Sequence, residues 1–275
     1  MPSDLRLSMT EHVPDGAHGE APVVVLVHGS LDRAGSFARV VRRLDDLHTV
    51  AYDRRGYHRS RHLLPVHDAL AGHVDDLLSI VGSRPAVVVG HSYGGDIALG
   101  AALRTGDSGP IRAIAAFEPP MPWLGEWATR PGAVGPSPQS SLEHDDPGQV
   151  AERFFRRMVG HSAWDRLPEA TKEARRADGP ALAAEIAGIR VREAPFDVTT
   201  LAIPAVFGRG SESLPHHRAS ADWLVANVAG SELVEIEGAA HGAHLTHPDA
   251  FARFVRTAVS HWRPTPIVRP RPVGR

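Results

Sequence analysis

One serine stands between glycines in the segment G-H-S-Y-G at residues 90–94, directly after the valine run at 87–89. A small-residue stretch of helical character follows. The pattern G-x-S-x-G between a strand and a helix is typical of the tight turn that presents a nucleophilic serine. Larger side chains at the two glycines would collide with neighbouring backbone, and the following helix places positive charge where an oxyanion develops. We therefore predict Ser92 as a nucleophile rather than as part of an ordinary glycine-rich turn.

A serine hydroxyl is a weak nucleophile without a base, and the base is usually histidine. The chain has 17 histidines, so position must select among them. His241 is the first histidine of G-A-A-H-G-A-H-L-T-H-P at 238–248, which follows the last predicted strand. With His244 and His247 it could instead indicate a metal site, but this loop holds no acidic or cysteine ligand and Pro248 opens a helix at once. We predict His241 as the base, His244 and His247 as pocket-rim or capping residues, and no metal.

An oxyanion needs hydrogen-bond donors, and one pair of main-chain N–H groups is suitably placed. The segment V-H-G-S-L at 27–31 follows the first central strand, and its Gly29 allows close approach of the backbone. The main-chain N–H of Ser30, together with that of Tyr93 after the serine, would then hold the oxyanion.

Short β-branched runs predict the strands that must position these groups. The runs are continuous rather than alternating, which is typical of parallel strands buried on both faces. Helical stretches separate them, and this alternation predicts a doubly wound α/β sheet. The predicted strands cover 23–27, 49–52, 86–89, 111–117, 202–207 and 232–236, and the predicted helices cover 36–44, 67–81, 94–103, 218–228 and 248–262.

The alternation breaks between about residues 119 and 195. A Pro/Gly-rich loop comes first, and helical pieces follow at 149–159, 169–176 and 180–188. Long ordered insertions in α/β folds are usually functional, so a lid is favoured over a surface excursion without a catalytic role. We predict an α/β core over 1–120 and 196–262, a helical cap over 121–195, and a flexible Pro/Arg-rich tail over 263–275.

Four segments in this order resemble the landmarks of the α/β-hydrolase superfamily, and the resemblance covers nearly the whole chain. They are H-G-S at 28–30, D-R-R-G-Y-H-R-S at 53–60, G-H-S-Y-G-G at 90–95 and the histidine loop at 238–248. The resemblance, closest to serine-nucleophile esterases and lactonases, implies a mostly parallel sheet of about eight strands with a helical cap inserted after strand 6. It also implies that Asp53, Arg54 and Gly56 shape a turn rather than take part in chemistry.

The chain departs from this superfamily at the acid that orients the histidine. The usual position is a loop after the strand before the histidine strand, and here that loop reads G-R-G-S-E-S at 208–213, without an aspartate. Glu212 is one position late, and its simplest interpretation is an exposed loop charge. Glu118 ends the strand at 111–117, where certain haloalkane dehalogenases take their acid. Because a buried carboxylate there needs a partner, we predict Glu118 as the acid and keep Glu212 as the alternative.

Composition excludes several other classes of protein. The net charge of −2 gives no reason to expect a nucleic acid partner, and the absence of cysteine removes disulfides and thiolate chemistry. We find neither a signal-peptide pattern nor an apolar stretch long enough to span a membrane. The expectation is a cytoplasmic monomer or homodimer that acts on a small molecule and does not bind a membrane.

These residues together predict a serine hydrolase that needs no cofactor. Its substrate would be a small to medium apolar carboxylic ester or lactone, cleaved through an acyl-enzyme. His28, Met121 and Trp123 are the predicted pocket residues. The same residues would also suit a C–C bond hydrolase or lyase, a cofactor-free perhydrolase, or a receptor-like binding protein with little turnover.

Overall fold

A seven-stranded sheet lies at the centre of the computed structural model, which describes residues 6–15, 21–64, 68–124, 127, 146–189 and 194–262. The strand order is β1-β3-β2-β4-β5-β6-β7. Only β1 is antiparallel to its neighbour; the other pairs run parallel. The strands are β1 (Met9–His12), β2 (Val23–Val27), β3 (Thr49–Tyr52), β4 (Ala86–His91), β5 (Ile111–Phe117), β6 (Ala205–Gly210) and β7 (Glu232–Ile236).

Four details of the sheet and its connections differ from the sequence predictions. Strand β1 was not predicted, because its segment M-T-E-H is polar and mostly exposed at the sheet edge. Strand β6 begins at Ala205 rather than near 202, directly after Pro204, whose missing N–H cannot join a strand ladder. The described residues hold seven strands instead of about eight, and the inserted helices follow the fifth strand in chain order rather than the sixth.

Ten α-helices flank the sheet in the described ranges, with 3₁₀ turns at Ala34–Phe37, His58–Ser60 and Val198–Thr200. They are α1 (Ala38–Val41), α2 (Ala69–Val81), α3 (Tyr93–Thr105), α4 (Pro147–Val159), α5 (His161–Asp165), α6 (Glu169–Ala177), α7 (Gly179–Ile189), α8 (Pro215–Asn227), α9 (Ala243–Thr246) and α10 (Pro248–Ser260). None of these helices is both long enough and apolar enough to cross a membrane.

The core has one apolar layer on each face of the sheet, as the period of two along a strand requires. Val23, Val25 and Val27 of β2 pack with α2, α3 and α8 on one face. Val24 and Leu26 pack with α1 and α10 on the other face. All five residues are buried, which explains why the run V-V-V-L-V has no polar position.

Helices α4–α7 form the inserted segment between β5 and β6. Val150 and Leu182 from this segment join a third apolar cluster with Leu31 and Tyr57, which lie in loops of the sheet domain. The division into an α/β core and a helical cap remains a prediction from the sequence. The predicted tail at 263–275 lies outside the described residues.

The turn between β4 and α3 depends on two glycines. A Cβ added at Gly90 would lie 2.1 Å from the carbonyl oxygen of Gly94, and one added at Gly94 would lie 2.1 Å from the carbonyl oxygen of Val27. Both contacts are with backbone, which cannot move away without shifting a strand. The strand-to-helix turn is therefore built on glycine for steric reasons.

We predict that Gly94→Ala lowers the free energy of unfolding by about 3 kcal/mol or more, the upper end of the range for overpacking. Denaturant unfolding followed by circular dichroism measures this. Gly188→Ala is the matched control, because, apart from the adjacent residues and its own helix backbone, no atom of the described residues lies within 4 Å of an added Cβ there, and alanine favours helix α7. Equal stability of Gly94→Ala and wild type would contradict the steric argument.

Candidate active site

Ser92 occupies a strained backbone position between β4 and α3. Its φ is 54° and its ψ is −129°, in a region that non-glycine residues rarely adopt. Its main-chain N–H donates to the carbonyl of Phe117 (2.8 Å), at the end of the neighbouring strand β5. The side chain is thereby held at the edge of the sheet where the parallel strands end, and it is half-buried.

Glu118 and His241 form a direct contact at this edge. Glu118 follows β5, is fully buried and also has a positive φ, of 48°. Its Oε2 lies 2.7 Å from Nδ1 of His241, and its Oε1 accepts from the main-chain N–H of Gly210 (2.7 Å). A carboxylate can only accept, so Nδ1 of His241 carries the proton and Nε2 is the nitrogen able to take one from a nucleophile.

Glu212 lies elsewhere. It is exposed, and its main-chain N–H donates to the carbonyl of Ala239 (2.9 Å), which ties the loop after β6 to the loop after β7. Of the two glutamates that the sequence suggested, the structure therefore brings Glu118 to His241 through a hydrogen bond.

Two further histidines surround His241. The ring of His217, from α8, stacks on it with centroids 4.1 Å apart and an angle of 15° between the planes. His91 Nε2 lies 2.7 Å from the carbonyl oxygen of His241. Burial, with the charges of His244 and His241, holds the pKa of His91 well below its usual range. Sequence reasoning missed both residues, although His91 is part of the serine turn and H-H-R at 216–218 opens the helix after β6.

The loop that carries Ser30 approaches Ser92 closely. A Cβ added at Gly29 would lie 2.9 Å from the Ser92 Cβ, so glycine is required for this approach. Tyr93, the residue that follows Ser92 in the chain, is buried. The Ser30 hydroxyl donates to Glu185 Oε2 (2.5 Å), which joins this loop to helix α7.

Glu185 belongs to a buried ion pair that sequence reasoning missed. Arg54 donates to Glu185 Oε1 (2.5 Å) and to the carbonyl of Gly29 (2.9 Å), and the Arg54 and Glu185 side chains are both fully buried. Burial acts to raise the pKa of Glu185, but Arg54 and then His73 lower it to about 2. One feature of the sequence could have indicated a buried carboxylate here: Glu185 is the single charged residue in the apolar segment G-P-A-L-A-A-E-I-A-G-I at 179–189.

The three predicted pocket residues lie mainly in packed surroundings. His28 is fully buried; its Nε2 accepts from the Arg54 main-chain N–H (3.0 Å), and its Nδ1 donates to the Gly29 carbonyl (2.7 Å). Burial, followed by the Arg54 charge, lowers the pKa of His28 to about 3. Met121 is fully buried in the sheet core, and half-buried Trp123 meets Phe196 edge-on at 6.4 Å. His28 thus shapes the turn, while Trp123 is the one of the three with appreciable exposure.

Comparison with known proteins agrees with this architecture. Residues 24–254 match the alpha/beta hydrolase family, and the chain belongs to that family. An alpha/beta hydrolase from Sphaerobacter thermophilus has a similar structure (TM-score 0.71, 25% identity, 94% of this chain and 96% of that one). An enol-lactonase from Burkholderia xenovorans shares the fold (TM-score 0.68, 20% identity, 92% of this chain and 97% of that one).

Curated relatives match only in part. An uncharacterized hydrolase from Bacillus subtilis, YraK, is 36% identical over 91 residues, which is 31% of this chain and 34% of the relative. The chain spans about a third or less of the length of the curated relatives that it matches. The family match supports a hydrolase, the enol-lactonase likeness shows the shared fold, and the bond that is cleaved and the substrate stay open.

We predict that Glu185→Gln lowers the free energy of unfolding by about 3–5 kcal/mol at pH 7, because it leaves Arg54 buried without a counter-charge. The folded-state pKa of Glu185 is depressed, to about 2. The difference in free energy of unfolding between wild type and Glu185→Gln is therefore fully present above about pH 4.3, the ordinary pKa of glutamate. It decreases as the pH falls toward 2.

Denaturant unfolding at pH 7 and at pH 3 checks both statements. Glu169→Gln is the matched control, because Glu169 pairs with Arg176 on the exposed surface of the same inserted segment and should contribute little. Equal losses for the two glutamine variants, or a Glu185→Gln loss that does not depend on pH, would contradict the buried-pair interpretation.

Proposed function

We propose that this protein is a serine hydrolase that cleaves a small to medium apolar carboxylic ester or lactone through an acyl-enzyme. The observation that carries the proposal is the 2.7 Å contact between Glu118 Oε2 and His241 Nδ1, at the same sheet edge as the strained Ser92 turn. A buried carboxylate that sets the tautomer of a histidine near a half-buried, strained serine is the arrangement of a Ser-His-acid triad. The enol-lactonase of the same fold supports the choice of substrate class.

The proposed reaction has two halves. Ser92 Oγ attacks the substrate carbonyl while His241 Nε2 takes the hydroxyl proton, and Glu118 stabilises the imidazolium that forms. The N–H groups of Ser30 and Tyr93 bind the oxyanion. The C–O bond then breaks, and the leaving alkoxide takes the proton from His241. A water molecule, deprotonated by His241, then attacks the acyl-enzyme; the bond between the acyl carbon and Ser92 Oγ breaks, and His241 returns the proton to Ser92 Oγ as the acid leaves.

The geometry also favours a rigid base. His217 stacks on one side of the His241 ring, Glu118 holds Nδ1, and His91 holds the carbonyl of His241. A base held in this way loses little entropy when the transition state forms. This arrangement supports catalysis over the alternative of a receptor-like binding protein.

We predict that a fluorophosphonate adds one covalent group to the wild type and none to Ser92→Ala. Intact mass spectrometry measures the adduct. Ser30→Ala is the matched control, because the proposal uses only the main-chain N–H of Ser30 and the variant keeps Ser92. A properly folded wild type without an adduct, or an adduct on Ser92→Ala, would refute the assignment of the nucleophile.

We predict that Glu118→Gln lowers kcat by about 10³–10⁴-fold, because an amide favours the wrong tautomer of His241. Glu212→Gln should leave kcat within about twofold of the wild type, since Glu212 is exposed and its main chain makes the loop contact. Steady-state kinetics on a p-nitrophenyl ester series measures both. A large loss in Glu212→Gln together with an active Glu118→Gln would reverse the assignment of the acid.

The substrate class needs a separate measurement. Aryl and alkyl esters, lactones and β-diketones should be compared by product released per protein chain. Release of many equivalents from esters or lactones supports the proposal, whereas turnover of β-diketones alone would indicate C–C cleavage. Turnover of none of them, with an intact serine adduct, would favour a binding protein. Peroxide in place of water tests the perhydrolase alternative.

A further inference from the structure

A second group of potential ligands lies beside the candidate triad and shares no residue with it. Asp32, His91 and His244 each offer one ligand atom, and these three atoms lie within 4.8 Å of one another. Asp32 follows β2 in the Ser30 loop, His91 ends β4 before Ser92, and His244 lies in α9 after His241. The group therefore joins the three segments that carry the candidate oxyanion donor, nucleophile and base.

His91 presents a buried lone pair. Its Nε2 contacts the carbonyl oxygen of His241 (2.7 Å), and a carbonyl only accepts, so Nε2 carries the proton. In the neutral ring, Nδ1 is then an acceptor. His91 is 6% exposed, and its Nδ1 has no hydrogen-bond partner among the described residues. An unsatisfied buried acceptor is costly, and a metal ion is one group that would satisfy it.

His244 lies at a suitable distance from Asp32. Its Nε2 contacts Asp32 Oδ2 at 3.3 Å, an ion-pair distance, and its Nδ1 has no hydrogen-bond partner within the part of the chain that the structure describes. The residue is 2% exposed. Tetrahedral ligands about 2.0–2.1 Å from a zinc ion lie about 3.3 Å from each other, so this pair already has the spacing of two zinc ligands.

The surroundings resemble those of metal ligands in other proteins. Metal-binding histidines usually donate their second N–H to a carbonyl or carboxylate, as His91 does to His241. Ligating carboxylates are themselves hydrogen-bonded, and Asp32 Oδ2 accepts from the Ser36 hydroxyl (2.8 Å). Two ligands of the three are thus oriented by contacts that leave the ligand atom available.

We propose that Asp32, His91 and His244 bind one divalent transition-metal ion, with zinc as the preferred type for two imidazoles and a carboxylate. The fourth position is left for water. The ion would hold together the segments that carry Ser30, Ser92 and His241, and it takes no part in the proposed reaction. The inference stands whether or not the protein hydrolyses esters, because it uses none of the triad residues.

Another group with ligand-like spacing, Glu118, His217 and His241, is the main alternative position for an ion. There the carboxylate is already used: Oε2 contacts His241 Nδ1 and Oε1 accepts from the Gly210 N–H. An ion at that group would have to displace the 2.7 Å Glu118–His241 hydrogen bond, whereas an ion at the Asp32 group would replace the longer 3.3 Å contact between Asp32 and His244 and would use the unpartnered Nδ1 of His91.

The test measures zinc binding directly and does not depend on activity. Full-length protein is stripped with a chelator, dialysed and titrated with Zn²⁺ in competition with a chromophoric chelator. We expect one ion per wild-type chain. Asp32→Asn and His244→Gln should each weaken binding by at least about tenfold, since loss of an outer-sphere partner alone costs about 10–100-fold. His247→Gln is the matched control, because His247 lies in the same loop and contacts Thr246 instead.

Each result has a defined meaning. Absence of zinc binding to the stripped wild type overturns the proposal, as does equal affinity in Asp32→Asn, His244→Gln and wild type. Loss of binding in His217→Gln alone assigns the ion to the triad group and also overturns it. If the Asp32 and His244 variants do not fold by circular dichroism, Co²⁺ in the wild type decides. Visible absorption typical of four-coordinate Co²⁺ with nitrogen and oxygen ligands that is kept in His217→Gln supports the site, whereas its absence in the wild type, or its loss in His217→Gln, refutes it.

Discussion

The parallel register of β2, β4 and β5 determines where the candidate nucleophile, acid and Ser30 loop lie. Val27 of β2 is paired with Gly90 of β4, and His91 of β4 is paired with Phe117 of β5. Residues that follow these positions must emerge side by side at one edge of the sheet. Ser92 and Glu118 are the next residues along their strands, so the register brings the nucleophile turn and the acid to the same edge.

The same edge is where backbone strain is concentrated. Leu31, Ser92 and Glu118 follow β2, β4 and β5, and all three have positive φ values. Non-glycine residues in this region cost of order 1–3 kcal/mol each, and they persist where the surroundings determine the conformation. Here the surroundings are adjacent buried strands and the glycine contacts that bring backbone close to backbone. The strain supports an active site at this edge, because strained non-glycine residues are typical of functional sites and these three directly follow the strands that position the candidate catalytic groups.

Local sequence patterns were sufficient to predict the central strands and the serine turn. They were not sufficient to predict contacts between segments that are distant in the sequence. The valine runs predicted buried parallel strands, and burial of Glu118 was inferred from the strand that precedes it. Glu185 was missed because its partner Arg54 is 131 residues away and nothing near either residue shows the pairing. The same applies to Asp32 and His244. The histidine loop holds no acidic ligand, and only folding brings an aspartate from the loop after β2 within 3.3 Å.

Two of the other 16 histidines, His91 and His217, are arranged around His241. His91 supports its main chain, His217 covers its ring and Glu118 sets its tautomer, so three separate elements act on one imidazole. Imidazole suits this use because it stacks like an aromatic ring and also donates or accepts at its edge. Burial keeps His91 neutral, and a neutral neighbour does not oppose the positive charge that His241 must acquire as a base. Burial therefore removes the charge of the His91 ring itself as a source of repulsion, and the Glu118 carboxylate at Nδ1 of His241 supplies the charge that would stabilise the imidazolium.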